Sequence, residues 1–302
     1  AELCDYAAVP TGAGVVALMV GPDTPVPAAA FGLLPELRVV AACSTGVDHV
    51  DVAAAAARGV WVTHVEDYCT EEVADHALTL ILDLLRGVTG SDRAVHRDGW
   101  DIAGDAGVRV PVRIAGTSLG LVGFGRIAQA VARRARALGM TVSGYDPGRD
   151  AQDFPDAGVL RRHELADLLA GSDVISLHVP LTEHTRGLID ARALASMRPG
   201  SLLVNVARGG LLDEAALVTA LRSGQLAGAA LDVLGNEPPQ ADDPLLAIDS
   251  VVLTPHIAWQ SAAARRLVFT RAAASVAAVL RGQEPDGVRT HLAAPEGAPA
   301  HA

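Results

Sequence analysis

The chain has 302 residues, room for two domains of ordinary size, and is 50% apolar. A formal net charge of -11 excludes the basic stripe that phosphate recognition on nucleic acid needs. All 24 cationic side chains are Arg, so lysine Schiff-base chemistry is excluded as well.

Short β-branched runs alternate with longer Ala/Leu/Arg stretches of helical period, the pattern of an α/β protein with parallel sheet covered by helices. Strands are predicted at 15–20, 38–42, 60–63, 118–122, 141–145, 173–179, 201–206, 228–233 and 251–254. Helices are predicted at 52–58, 71–86, 126–138, 164–169, 213–222 and 262–281. Asp51 before an Ala run and Asp213 before E-A-A-L are expected N-caps. The Gly-rich segment 99–111 reads as a crossing loop, and the tail 283–302 as frayed. Cys4, Cys43 and Cys69 are odd in number and far apart, against a disulfide framework or zinc knuckle. The start is acidic and lacks the pattern of a signal peptide, and no apolar run has the length of a membrane span. A cytoplasmic protein with no membrane partner is the expectation.

Strand, glycine turn and helix meet at 118–138. Gly123-x-Gly125-x-x-Ala128 is the dinucleotide fingerprint with Ala in its third place. The first glycine permits the turn, the second lets backbone approach a pyrophosphate, and the small third residue lets the helix lie close. The helix start at Arg126 and Ile127 offers unbonded N–H groups to phosphate. Asp146, at the end of the next strand, stands where ribose hydroxyls are bound. Its charge repels a 2′-phosphate and favours NAD over NADP, while Arg149 nearby leaves NADP open.

Three later segments place polar residues at strand C-termini, the edge where open α/β sheets bind ligands. They are N-V-A-R-G-G (205–210), L-D-V-L-G-N-E-P-P (231–239) and T-P-H-I-A-W (254–259). Hydride transfer at a carbinol carbon needs an acid/base, which His256 suits near neutral pH. Glu237 could brace its other ring nitrogen, and Arg208 offers a planar bidentate donor for a substrate carboxylate. Singly, each has a bland reading: a satisfied loop His, a solvated turn carboxylate, an Arg paired on the surface.

These motifs, with V-T-H-V-E-D-Y-C-T-E-E-V-A-D-H-A-L and S-L-H-V-P-L-T, resemble the D-isomer-specific 2-hydroxyacid dehydrogenases from about residue 37 to 281. The 67–76 segment and Trp259 look most like the bacterial branch similar to C-terminal-binding protein. The resemblance implies two doubly wound parallel-sheet domains: a flavodoxin-like substrate domain (1–90 and 264–302) and a Rossmann cofactor domain (91–263). It implies Arg208, Glu237 and His256 as catalytic residues. It implies cofactor contacts at Thr45, Gly123, Gly125, Arg126, Ile127, Asp146, Val179, Val206, Ala207, Asp232 and the turn from His256 to Trp259. The loop carrying Ser44, Thr45, Gly46 and Val47 would offer backbone N–H groups to the substrate carboxylate, and closure of the domains would exclude water. A homodimer through the cofactor domain is implied, with 92–101 as its arm.

The expected activity is NAD-dependent interconversion of a small 2-oxo acid and its D-2-hydroxy acid. The alternative is an NAD(H)-sensing, corepressor-like interaction protein with little turnover. Departures fall near the substrate loop, where relatives often have Gly at Ser44, Asn at His64 and Pro at Glu66. His49, Asp51, His64, Glu66 and Asp67 lack a repeated ligand pattern, so no metal is expected. Cys43 and Cys69 read as small buried residues, and Asp75 and His76 are expected at a domain interface or in solvent.

Overall fold

The computed structural model describes residues 14–100 and 110–290. Its chain groups into two compact units, Ala1–Tyr68 with Ser261–Ala302, and Cys69–Gln260.

In the first unit, β1 (Ala17–Val20), α1 (Ala28–Leu33), β2 (Val39–Ala42), α2 (Val52–Ala57) and β3 (Trp61–Thr63) follow one another. The strands form a parallel sheet in the order β1-β2-β3, with Leu18 opposite Val40 and Val40 opposite Val62. All four residues of β2 are buried, which explains its unbroken apolar run. Asp51 caps α2 as expected, its carboxylate accepting from Ala54 N–H at 2.9 Å.

The second unit opens with α3 (Thr70–Arg86) and α4 (Val88–Asp98). Then come β4 (Ser118–Val122), α5 (Arg126–Ala137), β5 (Thr141–Tyr145), α6 (Asp153–Asp156), β6 (Leu160–Arg161), α7 (Leu165–Gly171) and β7 (Val174–Leu177). α8 (Ala191–Ser196), β8 (Ser201–Asn205), α9 (Glu214–Arg222), β9 (Leu226–Leu231) and β10 (Val251–Leu253) complete it. Its seven parallel strands run β10-β9-β8-β7-β4-β5-β6. Strand order therefore reverses between β4 and β7, the switch point at which a doubly wound sheet opens a crevice for a dinucleotide.

Two physical features set the unit boundaries. α3 buries Val73, Ala77, Leu80, Ile81 and Leu84 at helical spacing and packs them on α5, β8 and β9. Residues 69–90, expected with the substrate domain, are thus grouped with the nucleotide-type sheet up to Gln260. α10 (Ala262–Leu280) then returns to the first unit and packs on β2, where Val279 carbonyl accepts from Arg38 at 2.9 Å.

The tail expectation is corrected in part. Residues 283–290 are not frayed: Val288 bridges Thr63 antiparallel, Arg289 N–H bonds Val62 carbonyl at 2.8 Å, and Thr290 is buried. Its hydroxyl accepts from Val62 N–H at 3.1 Å. Cys4, most of the 99–111 loop (101–109) and the last tail residues (291–302) lie outside the described residues.

Candidate active site

The glycine loop after β4 is built as its sequence requires. Gly123 has φ +89°, and an added Cβ would lie 2.8 Å from Val179 and 2.9 Å from the His178 backbone. Only glycine fits there, because the chain leaving β7 crosses beneath the turn. Gly125 differs: a Cβ there meets nothing within 4 Å, so open space lies over the loop where a pyrophosphate needs it. α5 begins at once, with Gly125 as its N-cap and Arg126 and Ile127 as its first residues, so its leading N–H groups face that space. Ala128 is fully buried against the sheet.

Asp146, at the end of β5, is tied to this loop. One carboxylate oxygen accepts from Phe124 N–H and the other from Gly148 N–H, each at 2.9 Å. Phe124 itself stacks on Phe154, with ring centroids 4.4 Å apart. Arg149 is exposed and 3.8 Å from Asp153. Val179 is partly buried and Val206 buried, at the C-terminal ends of β7 and β8. These residues fit an adenine dinucleotide: a cradle without Cβ atoms, a helix start, and a carboxylate at the end of β5.

Arg208, Glu237 and His256 come together at the C-terminal edge of β8, β9 and β10. His256 Nδ1 lies 2.7 Å from Glu237 Oε2. Glu237 Oε1 accepts from Leu234 N–H at 2.9 Å, so its carboxylate is held at both oxygens. Burial pushes the Glu237 carboxyl up. Hydrogen bonds from His256 and Leu234, with the charges of His256 and Arg208, outweigh this and leave it below the ordinary carboxylate range. Arg208 is partly buried and donates to Ala207 carbonyl at 2.7 Å.

Several residues that make this geometry were not singled out from sequence. Asn205 is fully buried; its amide donates to Arg208 carbonyl at 2.8 Å and its oxygen accepts from Ala207 N–H at 3.0 Å. Gly209 lets the Arg208 segment touch the Glu237 loop, since a Cβ there would lie 1.9 Å from the Leu234 carbonyl carbon. Glu214, first residue of α9, accepts from Gly235 N–H at 2.6 Å. Asp213, expected from the sequence as an N-cap, caps that helix through Ala216 N–H at 3.0 Å.

Asp232, 2% exposed, anchors the next turn. It accepts from Thr254 hydroxyl at 2.6 Å, and from Ile257 and Ala258 N–H at 2.9 Å each. Trp259 ends that turn, partly buried. His76, expected at an interface or in solvent, belongs to this network: its Nε2 is 3.0 Å from Thr254 Oγ1. Asp75 instead pairs with Arg134 at 2.7 Å.

The loop of residues 44–47 belongs to the first unit. Ser44 is buried and its hydroxyl donates to Gly46 carbonyl at 2.6 Å; Thr45 is exposed and donates to Val65 carbonyl at 3.1 Å; Gly46 and Val47 are partly exposed. His64, buried, lies 2.7 Å from Thr45 carbonyl and 3.3 Å from Glu66. Cys43 is buried beside this loop, where desolvation pushes its thiol up to about 11 and keeps it a packing residue. Cys69 is buried too.

A seven-stranded doubly wound sheet with a glycine cradle at its switch point, and an imidazole–carboxylate pair at the same edge, defines a dinucleotide-dependent dehydrogenase. Comparison with known proteins narrows the class. The family model described as D-isomer specific 2-hydroxyacid dehydrogenase, NAD binding domain, matches residues 78–258. The chain is 40% identical over 261 residues to a glyoxylate reductase of Korarchaeum cryptofilum, spanning 86% of this chain and 78% of that one. It is 41% identical over 273 residues to D-3-phosphoglycerate dehydrogenase of Mycobacterium tuberculosis, where 90% of this chain covers about half (51%) of the relative. A D-lactate dehydrogenase of Aquifex aeolicus, solved with NAD and lactic acid, superposes with TM-score 0.80 at 28% identity, over 89% of this chain and 84% of that one. The chain belongs to the D-isomer-specific 2-hydroxyacid dehydrogenase family and carries that family's NAD-binding domain. Among the described residues no helix is long and apolar enough to cross a membrane.

Proposed function

We propose that the protein interconverts a small 2-oxo acid and its D-2-hydroxy acid, with His256 as acid/base, Glu237 as its brace and Arg208 as the donor to the substrate carboxylate and carbonyl. The observation that carries this reading is the 2.7 Å contact between His256 Nδ1 and Glu237 Oε2. Occupying Nδ1 fixes the ring and leaves Nε2 to exchange a proton with the substrate oxygen. Bound NADH supplies the hydride for reduction. His256 gives the proton that the developing alkoxide needs, and the ionised Glu237 stabilises the imidazolium beforehand. Arg208 places a delocalised charge at the same edge, suited to a carboxylate and an adjacent polarised oxygen.

Asp146 supports a preference for NAD over NADP, since a 2′-phosphate would meet a carboxylate already fixed by two backbone N–H groups. The reading includes a homodimer through the second unit, supported by the exposed Val88, Val95 and Trp100 on and after α4. Sedimentation velocity tests that part.

The central test is NADH oxidation with a panel of 2-oxo acids, including glyoxylate, hydroxypyruvate and branched 2-oxo acids. His256→Ala should lose roughly 10²–10⁴ in kcat, while NADH still binds by fluorescence titration. A variant that turns over at near-normal rate would remove His256 from the chemistry. Nucleotide binding without turnover on any acid would point to a sensing role instead.

A further inference from the structure

We propose that His76, on α3, is a positioning residue for the acid/base. Through Thr254 and Asp232 it fixes the turn that presents His256, although it hydrogen-bonds neither His256 nor Glu237. The inference rests on the role given to His256 above.

The turn has an unusual backbone. His256 has φ +53°, a left-handed conformation that is unfavourable for a non-glycine residue. Something must hold it there, and Asp232 does. Its main-chain carbonyl accepts from His256 N–H at 2.9 Å, and its carboxylate takes the N–H groups of the two following residues, Ile257 and Ala258. Thr254 completes the clasp from the other side, its hydroxyl 2.6 Å from Asp232 Oδ1.

His76 determines how that clasp is wired. A hydroxyl has one proton to give, and at 2.6 Å Thr254 gives it to Asp232. The 3.0 Å contact between Thr254 Oγ1 and His76 Nε2 must therefore run the other way, with Nε2 carrying the hydrogen. The ring also lies 3.5 Å from Asp232 Oδ1, which is almost wholly buried. One directed chain results: His76 Nε2–H to Thr254, Thr254 O–H to Asp232, and Asp232 to the backbone around His256. Each donor strengthens the next in a site of low polarity.

Without His76, Thr254 Oγ1 loses its donor and its hydroxyl is free to turn. The buried carboxylate loses the adjacent N–H, and the left-handed residue loses part of what holds it. Nδ1 of His256 stays tied to Glu237, so the displacement is felt at Nε2, the atom assigned to proton transfer. A misplacement of this kind costs rate.

His76→Leu, His76→Asn and His76→Gln separate positioning from packing. Gln reaches Thr254 with an amide N–H at the place of Nε2; Asn is too short, and Leu has no donor. With glyoxylate as probe, Leu and Asn should lower kcat about tenfold and raise the solvent deuterium isotope effect on kcat. Gln should recover most of the lost rate. In protein labelled with ¹³C at histidine Cε1, the His256 signal, assigned by its loss in His256→Ala, should move in Leu and Asn but not in Gln. This readout does not depend on turnover. If Leu does not fold, the Gln–Asn pair decides alone.

Equal rates and an unmoved His256 signal in Gln and Asn would overturn the proposal, as would a lowered Tm in Leu with kcat and isotope effect unchanged. His256→Ala measured in parallel distinguishes the two failures. If that variant is inactive while all His76 variants are normal, only the role of His76 is lost. If it is active, the reading of His256 itself fails.

Discussion

Two glycines in the second unit carry opposite constraints. At Gly209 an added methyl would overlap the Leu234 carbonyl at 1.9–2.1 Å, and this is backbone, which cannot swing aside. Gly209→Ala must push the Arg208 segment away from the Glu237 loop, so kcat should fall by at least about tenfold while NADH binding survives. Near-normal kcat would show that these two segments need not touch. At Gly125 the protein leaves the space empty and φ is −75°, which any residue tolerates. Gly125→Ala should melt like the parent yet bind NADH more weakly, because the methyl enters the space kept for phosphate. A lower Tm with unchanged Kd would reverse that assignment. The strand–loop–helix that carries Gly125 was legible in the sequence, since fingerprint, strand and helix are adjacent. The need for Gly209 was not, although N-V-A-R-G-G drew notice, because its partner Leu234 comes near only through folding. Asn205 was missed for a related reason: a buried amide holding two backbone groups looks in sequence like any strand-end polar residue.

At the level of elements, α9 joins helix capping to the site. Asp213 and Glu214 are neighbours with separate tasks: the first closes the helix end, the second holds Gly235 N–H two residues before Glu237. Asp213→Ala should cost about 1 kcal/mol of stability with activity per folded molecule little changed. Glu214→Ala should do the reverse, lowering kcat several-fold through a looser Glu237 loop with a small change in Tm. Chemical denaturation and steady-state kinetics on both variants check this, and matching profiles would contradict the division. All nine predicted strands and six predicted helices have counterparts, because each is long or apolar enough to show its period. α6, of four residues, is too short to repeat an apolar face, and β6 has two residues. α4 was missed because V-T-G-S-D-R-A-V-H-R-D buries Ala94 alone. Residues 283–290 were misread because a Gly/Pro-rich segment pinned by one bridge and a buried Thr290 has no periodic signature.

The whole molecule should respond to acid in a defined order. His178 follows β7, where its backbone passes under Gly123, and desolvation holds its imidazole down to about 4 from the ordinary 6.5. A depressed histidine means that, between those two values, the unfolded chain binds a proton that the folded chain refuses. Unfolding is therefore favoured progressively as pH falls from about 6.5 to about 4. Glu237 acts lower. Burial raises it, but bonds to His256 and Leu234 leave its carboxyl below the ordinary range, so the stability it contributes is present above that range. That contribution is lost as pH drops through the lowered value, and with it goes the brace on His256. His178→Gln, which can keep a hydrogen bond to Ser176 Oγ, should flatten the loss of unfolding free energy between pH 6.5 and 4. Denaturant titrations at pH 7, 5.5 and 4.5 read this directly. A variant whose stability declines as steeply as the parent's would mean that the ring already takes up its proton in the folded state, with water reaching it beside the glycine loop.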